Sequence, residues 1–353
     1  MYYLLDNNLN FICPIEKYKS MIWATRYYKS GDFELYMPAT VEMIRAIKKD
    51  YLIVRDDDFT QAMIVQNIQI TTDVEEGNYL IVTGKSLKSI LSRRIIWKQT
   101  ILNDTVEAGI RQLVTENIIR PVIAERKIEN FILGAELGIT DKLQKQFTGD
   151  NLEDAISEIC IGHGLGYDVL LDLDEKQFIF ILFKGCDRSD RQTINSQVVF
   201  SNEYENLLST NYLLSTNTFK NVALVAGEGE GINRKTTVVG TASGMNRHEL
   251  FVDSRDTSTN AEEDITDEEY AALLREEGYA ALNENSIVEN IEGDLEANHT
   301  WKYNRDYFLG DVVGVIDEYG HALYPQITEV IESEDDMGKN LVVTFATEIE
   351  KEE

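Results

Sequence analysis

The chain has 353 residues, 43% of them hydrophobic and 27% charged, which is more than one core usually organises, so two or three domains are expected. Its formal charge of -29 opposes wrapping on DNA as a free protein, because phosphate neutralisation needs a broad basic face. No apolar run is long enough to cross a bilayer, and Met1-Tyr2-Tyr3-Leu4-Leu5-Asp6 lacks the basic start and apolar middle of a secretory signal, so a soluble protein made in a cytoplasm, with no membrane insertion of its own, is expected.

Residues 1–100 read as mostly β. Ile64-Val65-Gln66-Asn67-Ile68-Gln69-Ile70 has the period-two texture of a half-buried strand, and further strands are predicted at Tyr2–Leu5, Leu9–Ile15, Met21–Tyr28, Phe33–Met37, Tyr51–Val54 and Asn78–Thr83. Lys29-Ser30-Gly31-Asp32 and Glu75-Glu76-Gly77-Asn78 have the composition of hairpin turns. A short helix fits Val41–Lys48, and a second is expected to begin near Ser86. From 101 to 195 the texture becomes α+β. Asn103 or Asp104 can cap a helix running to Ile119, just before Pro121. Another helix spans Leu152 to about Ile161, stopped by Gly162, Gly164 and Gly166. Tyr167–Leu171 and Phe178–Phe183 form a hairpin, whose second strand is apolar at every position and should be covered on both faces.

From 196 strands return, at Gln197–Phe200, Val222–Val225, Thr236–Thr241, Gly310–Ile316, Gln326–Ile331 and Leu341–Phe345. They are interrupted at about 256–298 by an acidic helical insertion. There Thr266-Asp267-Glu268-Glu269 has the form of a capping box that opens a helix through Glu277, with Gly278 as its stop.

Charge is unevenly placed. Residues 256–298 hold fourteen acids and one Arg, and 329–353 hold nine acids and two lysines. Lys85, Lys88, Arg93, Arg94 and Lys98 gather where no acid lies between Ile81 and Thr100. A basic edge meeting an acidic edge of a neighbouring subunit would use that split. Solvation of the same side chains, flanking a helix after Gly84, competes with it.

Catalytic constellations are hard to find. Ala226-Gly227-Glu228-Gly229-Glu230-Gly231 lacks the Lys-Ser/Thr of a phosphate loop and carries acids that repel phosphate, so it reads as a turn. Asp56-Asp57-Asp58 and Asp172-Leu173-Asp174-Glu175 lack the spacing of a calcium loop and read as solvated turns, although paired carboxylates could serve glycoside hydrolysis. His163, His248, His299 and His321 are scattered, and Cys13, Cys160 and Cys186 have no zinc-ligand spacing, so free and mostly buried thiols, no metal and no cofactor are expected. Trp97 and Trp301 read as partly buried anchors, or as platforms for a base or sugar.

Trp23 and Gly31-Asp32-Phe33-Glu34-Leu35-Tyr36-Met37-Pro38, then Thr83-Gly84-Lys85-Ser86-Leu87-Lys88-Ser89-Ile90-Leu91 with Arg93-Arg94-Ile95, resemble the opening of siphovirus tail-hub proteins. Gly227–Gly231 followed by Arg234, and Tyr307-Phe308-Leu309-Gly310-Asp311-Val312-Val313, resemble that family's second half, in the same order. The resemblance implies a structural, non-enzymatic protein of the virion at the tip of a phage tail or of a tail-derived bacteriocin, assembled in the bacterial host cytoplasm. It implies a homotrimeric ring with two β-barrel-like domains per subunit, giving a pseudo-sixfold collar on a sixfold tail tube.

The fold expected is therefore β-dominated α+β, with β-barrel-like domains at 1–100 and 196–353 flanking an α+β domain at 101–195. The partners expected are further copies of the chain, the tail tube or a distal tail protein, and a tip, spike or fibre protein, without sequence-specific nucleic acid. Lys85, Lys88, Arg93 and Arg94 are the residues expected near a subunit or tube contact. The excess acid suits either a DNA channel whose wall repels phosphate or a solubilising face. A tail-associated cell-wall hydrolase and a carbohydrate-binding host-recognition module are the competing functions.

Overall fold

The structure, a computed structural model, describes residues 1–73, 77–255, 257, 266–295 and 301–346. The first segment supplies strands β1 (Tyr2–Leu5), β2 (Phe11–Ile15), β3 (Ser20–Arg26) and β4 (Asp32–Pro38), helix α1 (Val41–Ala46), then β5 (Leu52–Arg55), β6 (Ala62–Asp73) and β7 (Gly77–Ser86). Alternation decides which side chains go inside: Met21 and Trp23 of β3, Leu35 of β4 and Val82 of β7 point into one core, while their neighbours Ile22, Glu34 and Thr83 do not. That core also takes Leu4, Ile53 and Met63 from β1, β5 and β6, so the strands close around it from two sides. The opposite faces of β1, β5 and β6, through Leu5, Val54 and Ile64, belong to a second core.

The connection from β3 to β4 differs from the tight hairpin predicted at Lys29–Asp32. The two strands pair only as far as Trp23 with Phe33, and the chain between them leaves to bind elsewhere. Glu153 accepts from the Ser30 backbone N–H at 2.9 Å, and Ser157 Oγ donates to the Tyr28 carbonyl at 2.7 Å. The predicted turn at Glu75–Asn78 lies partly on residues outside those described; Gly77 pairs with Asp73 and has φ +97°.

The middle segment is β8 (Thr100–Thr105), α2 (Val106–Val114), β9 (Phe131–Leu133), β10 (Lys142–Phe147), α3 (Leu152–His163), β11 (Gly166–Asp172) and β12 (Gln177–Phe183). Thr105, rather than Asn103 or Asp104, caps α2, accepting from Ala108 N at 3.2 Å. The helix ends in one wide turn over Thr115–Ile119. Gly164, in the left-handed conformation at φ +61°, terminates α3. β12 is not covered on both faces as predicted: Phe180 and Leu182 are buried, while Ile181 and Phe183 are half-exposed.

Glu107 on α2 organises a loop. Its carboxylate accepts from the backbone N–H groups of Leu137, Gly138 and Ile139 at 2.7, 2.8 and 3.1 Å. Burial pushes its pKa up, but the three donors outweigh burial and hold it below the ordinary glutamate value. The stabilisation is thus fully present above the unfolded pKa of about 4.3 and is lost as pH falls through the lower folded value. Glu107→Gln is expected to cost about 1–3 kcal/mol at pH 7 and to flatten the acid limb of a stability-against-pH curve; an unchanged acid limb would show that Glu107 does not carry it.

The last segment holds β13 (Val199–Ser201), β14 (Leu207–Ser215), β15 (Val222–Ala226), β16 (Thr236–Val239), β17 (Glu249–Asp253), α4 (Asp267–Glu284), β18 (Val288–Leu295), β19 (Gly314–Ile316), β20 (Ala322–Leu323), β21 (Gln326–Asp335) and β22 (Gly338–Ala346). The capping box of α4 is complete, since Thr266 Oγ1 accepts from Glu269 N while the Glu269 carboxylate accepts from Thr266 N. Gly278 does not stop this helix, which runs six residues further. Its role is clearance: a Cβ there would stand 2.5 Å from Val239 and 2.7 Å from Val225, so glycine lets α4 lie close on the three-stranded sheet β16-β15-β17.

The acidic stretch expected to be one helical insertion is thus divided. Residues 256, 258–265 and 296–298 lie outside those described, α4 covers a small sheet, and β18 is a strand of the main sheet. That sheet has eleven strands in the order β14-β18-β22-β21-β3-β4-β7-β6-β5-β1-β2. Within it β21 pairs antiparallel with β3, from Glu329 opposite Arg26 to Asp335 opposite Ser20. The first and last segments are therefore joined by a hydrogen-bonded ladder.

Candidate functional site

The predicted basic cluster divides when it folds. Lys85 is exposed on β7, opposite Asp32 of β4. The next residues form a short 3-10 helix, Leu87–Arg93, whose first five side chains are buried. Lys88 is one of them, 3% exposed, and this corrects its expected place at a contact surface. Its ammonium donates to the Arg26 and Tyr27 carbonyls and lies 4.9 Å from the centre of the Tyr167 ring. Burial lowers its pKa. Lys88 therefore ties the end of β3 to the middle segment instead of facing a partner. Arg93 remains exposed and pairs with Asp50 at 2.7 Å. Arg94 is half-buried and donates to the Arg126 carbonyl at 2.8 Å. Beside it Trp97 stands 56% exposed under the Arg126 guanidinium, at 5.2 Å. Lys85, Arg93, Arg94 and Trp97 thus leave surface for a partner, and Lys88 does not.

A cleft of about 910 Å³ opens where the three segments meet, bordered by Trp23, Arg55, Asp168, Arg188, Tyr303 and Glu332 among others. Several of its charges are committed to each other. Arg55 lies 5.6 Å from the centre of the Trp23 ring and is held by Asp57 at 2.7 Å and by Glu332. Burial disfavours its charge, but these two carboxylates outweigh burial and raise its pKa. Asp311, 2% exposed, pairs with Arg188 and accepts from the backbone N–H groups of Cys186 at 2.7 Å and Phe308 at 2.9 Å. A glycosidase needs one carboxylic acid kept protonated beside a second, ionised one. Asp57 instead lies below the ordinary aspartate range, held by Arg55 against its own burial.

The other candidates also resolve locally. Asp58 accepts from Thr60 N at 2.9 Å, and Asp172 from Asp174 N and Glu175 N at 3.0 Å, as turn residues do. The Gly227–Gly231 loop joins β15 to β16, and Arg234 fastens it by donating to the Ala226 and Gly227 carbonyls. His321 pairs with Asp317 at 2.9 Å, and His248 lies against Phe219. His163 ends α3, and His299 lies outside the described residues. The three thiols are free, but only Cys160 is buried; Cys13 is half-buried and Cys186 exposed. Trp301 is a half-buried anchor whose indole N–H reaches the Val199 carbonyl at 3.2 Å. Among the described residues no three His, Cys, Asp or Glu side chains are grouped to hold a metal ion, and no helix is long and apolar enough to cross a membrane.

Comparison with known proteins gives one family and several solved structures of similar fold. The family described as Siphovirus ReqiPepy6 Gp37-like protein matches residues 1–345. Among solved structures, the tail protein from Neisseria meningitidis MC58 is similar with a TM-score of 0.59 at 13% identity, covering 98% of this chain and 97% of that one. The 43 kDa tail protein of prophage MuSo2 from Shewanella oneidensis gives 0.58 at 14% identity, with 98% and 97% covered. Prophage tail protein gp18 from Listeria monocytogenes EGD-e gives 0.51 at 12% identity, with 99% and 95% covered. At these identities the likeness is one of fold. A search of curated proteins finds no match.

Proposed function

Since the chain belongs to the Gp37-like family of siphovirus tail proteins, we propose that it is a structural component of the tail tip or baseplate hub, a homotrimeric ring that joins the tail tube to distal tail proteins and leaves a channel for DNA. The observation that carries this reading is the ladder between β21 and β3, which makes the first and last segments neighbouring parts of one wall. Three copies would then present six such parts to a sixfold tube, each part closing as a barrel-like unit. One face of that wall is packed on the cores. The alternate residues, among them Ile22, Glu34 and Thr83, face away from them. Arg26 on this side is held between Asp32 at 2.8 Å and Glu329 at 2.5 Å, which neutralises a cation that would otherwise attract phosphate. Away from Lys85, which is exposed on this face at the end of β7, a wall of this composition suits passage of DNA without adhesion.

In this reading Lys85, Arg93 and Arg94 lie near the contact with the tube or with the next subunit. Reversing Arg93 and Arg94 to Glu is expected to weaken assembly or tube attachment in a salt-dependent way. The fold should change by only about 1–2 kcal/mol, from loss of the Arg94 hydrogen bond to the Arg126 carbonyl, because the exposed Arg93–Asp50 pair contributes little. Mass in solution and thermal melting read the two effects separately. Equal assembly of the double mutant at low and high salt would remove these residues from the interface. The ring itself is tested by the mass of the purified wild-type particle, expected at three chains.

A further inference from the structure

Arg94 and Arg126 are half-buried and adjoin each other with no acid between them. Arg94 uses Nε and Nη1 on the Arg126 and Arg93 carbonyls, and Arg126 gives Nη2 to the Ile95 carbonyl. Burial lowers the pKa of each, and a neighbouring guanidinium lowers it further, Arg93 acting on Arg94 and Arg94 on Arg126. Among the described residues neither has a carboxylate within ion-pair distance, whereas Arg93 beside them has Asp50. In a chain with 62 acids against 33 lysines and arginines, two adjoining cations partly withdrawn from water and left unpaired are a local cost that the fold itself does not explain.

A second observation is how firmly Trp97 is held in the open beside them. Its ring is 56% exposed, with the Arg126 guanidinium 5.2 Å from its centre. The buried Asn117 braces both: its Oδ1 accepts from Trp97 N at 3.4 Å and from Arg126 Nη2 at 3.2 Å, while its Nδ2 donates to the Leu113 carbonyl at 2.9 Å. Asn117 reaches these groups from the wide turn Thr115–Ile119 that ends α2, and such turns recur at functional sites. Ile95 and Ile123 adjoin and are exposed, the first tied to Arg126 through its carbonyl, the second through the Arg126 backbone N–H. An open Trp and Arg fixed by a buried amide have the composition of a binding hot spot whose geometry is set before a partner arrives.

We infer that this surface receives an acidic segment of another protein, its carboxylate on Arg94 and Arg126 and an apolar side chain on Trp97 and Ile95. Arg94 keeps Nη2 for it, and Arg126 keeps Nε and Nη1; guanidinium donors match the two oxygens of a carboxylate. Nucleic acid fits less well, because a tracked backbone needs a continuous groove of cations, and here Glu125 shares a turn with Arg126 while Asp50 occupies Arg93. A second copy of the chain is the other acidic source. The site is built from residues 94–97 and 117–126, none of them in a strand of the eleven-stranded sheet, so a wall made by copies of that sheet does not require it. The inference rests on the reading of the chain as a tail component and names the chemistry of one partner.

Short random peptides displayed on yeast, selected on the immobilised full chain and counter-selected on its Trp97→Ala variant, are the probe. Sequences rich in Asp and Glu around an aliphatic or aromatic residue are expected; a set without acidic enrichment, or no sequence that prefers the wild type, overturns the inference. A synthetic peptide from the enriched set is expected to bind Trp97→Ala and Arg126→Gln at least about tenfold more weakly, to weaken with salt, and to lose binding when its acids are replaced by amides. Ile95→Glu sets a carboxylate among the guanidiniums while keeping Trp97, so it should abolish binding with unchanged melting. Retained binding there overturns the inference even where Trp97→Ala does not fold. Displacement of the peptide by an oligothymidylate assigns the surface to nucleic acid, and a wild-type assembly that falls apart on Trp97→Ala assigns it to a second copy; either result overturns the inference. Particle mass is read separately. Three chains without peptide binding leave the ring reading standing and sink the site, whereas peptide binding by a chain that stays single does the reverse.

Discussion

Replacing Tyr27 by Ala is expected to destabilise the protein by about 3–5 kcal/mol, the range for deleting a fully buried aromatic side chain. Tyr27 sits where β3 meets the other two segments. Its backbone N–H donates to Thr328, its hydroxyl donates to the Gly164 carbonyl at 3.2 Å, and the same oxygen accepts from Gly185 N at 3.2 Å. A Cβ at Gly166 or Gly310 would stand 2.4 or 2.2 Å from its ring, so two glycines, one from each neighbouring segment, make room for it. Burial raises the pKa of the hydroxyl to about 12, so it remains a donor over the ordinary pH range. Tyr27→Phe, which keeps the ring, is expected to lose only about 1–2 kcal/mol. Denaturant unfolding of both variants checks the ordering; equal losses would assign the effect to the hydroxyl and not to packing.

Asp311→Ala is expected to cost about 3–5 kcal/mol, because it breaks a buried ion pair and strands what remains. Arg188 would keep its charge against the Phe308 ring, 5.6 Å away, and the N–H groups of Cys186 and Phe308 would lose their acceptor. Asp311→Asn keeps the shape and one acceptor oxygen and should lose less. Unfolding in urea separates the two variants. A cost below about 1 kcal/mol for the alanine would mean that water replaces the carboxylate without penalty.

The hairpin of β11 and β12 was legible in the sequence because its turn, Asp172 to Lys176, has unmistakable chemistry and its strands are strongly apolar. The capping box of α4 was legible for a similar reason: the spacing from Thr266 to Glu269 specifies both hydrogen bonds. β18 was not. Val288-Glu289-Asn290-Ile291-Glu292-Gly293-Asp294-Leu295 sits in an acidic stretch where local composition favours a solvated helix, and long-range pairing with β14 and β22 overrides it. β14 escaped too, although the run of fourteen uncharged residues from Asn206 to Phe219, just after Glu203 and Glu205, was a usable signal. Lys88 is the instructive miss among the site residues. Sequence neighbours gave it to a basic surface, but its position in a tight 3-10 turn points it inward, where two backbone carbonyls and an aromatic face receive it. The joining of β21 to β3 has no local signature in either strand.

That joint also orders events in time. Arg26 and Glu329 are 303 residues apart in sequence and touch in the sheet. A chain emerging from the ribosome amino end first presents β3 with one side uncovered until β21, about 300 residues later, has been made. Contacts this distant are slow to form, and a waiting strand edge is open to the wrong partner meanwhile. A chain cut short before Gln326 would hold most of its helices and its first core, yet never cover β3. Such fragments should aggregate while a chain that includes β21 and β22 stays dispersed, which makes these two strands a condition on any copy joining another.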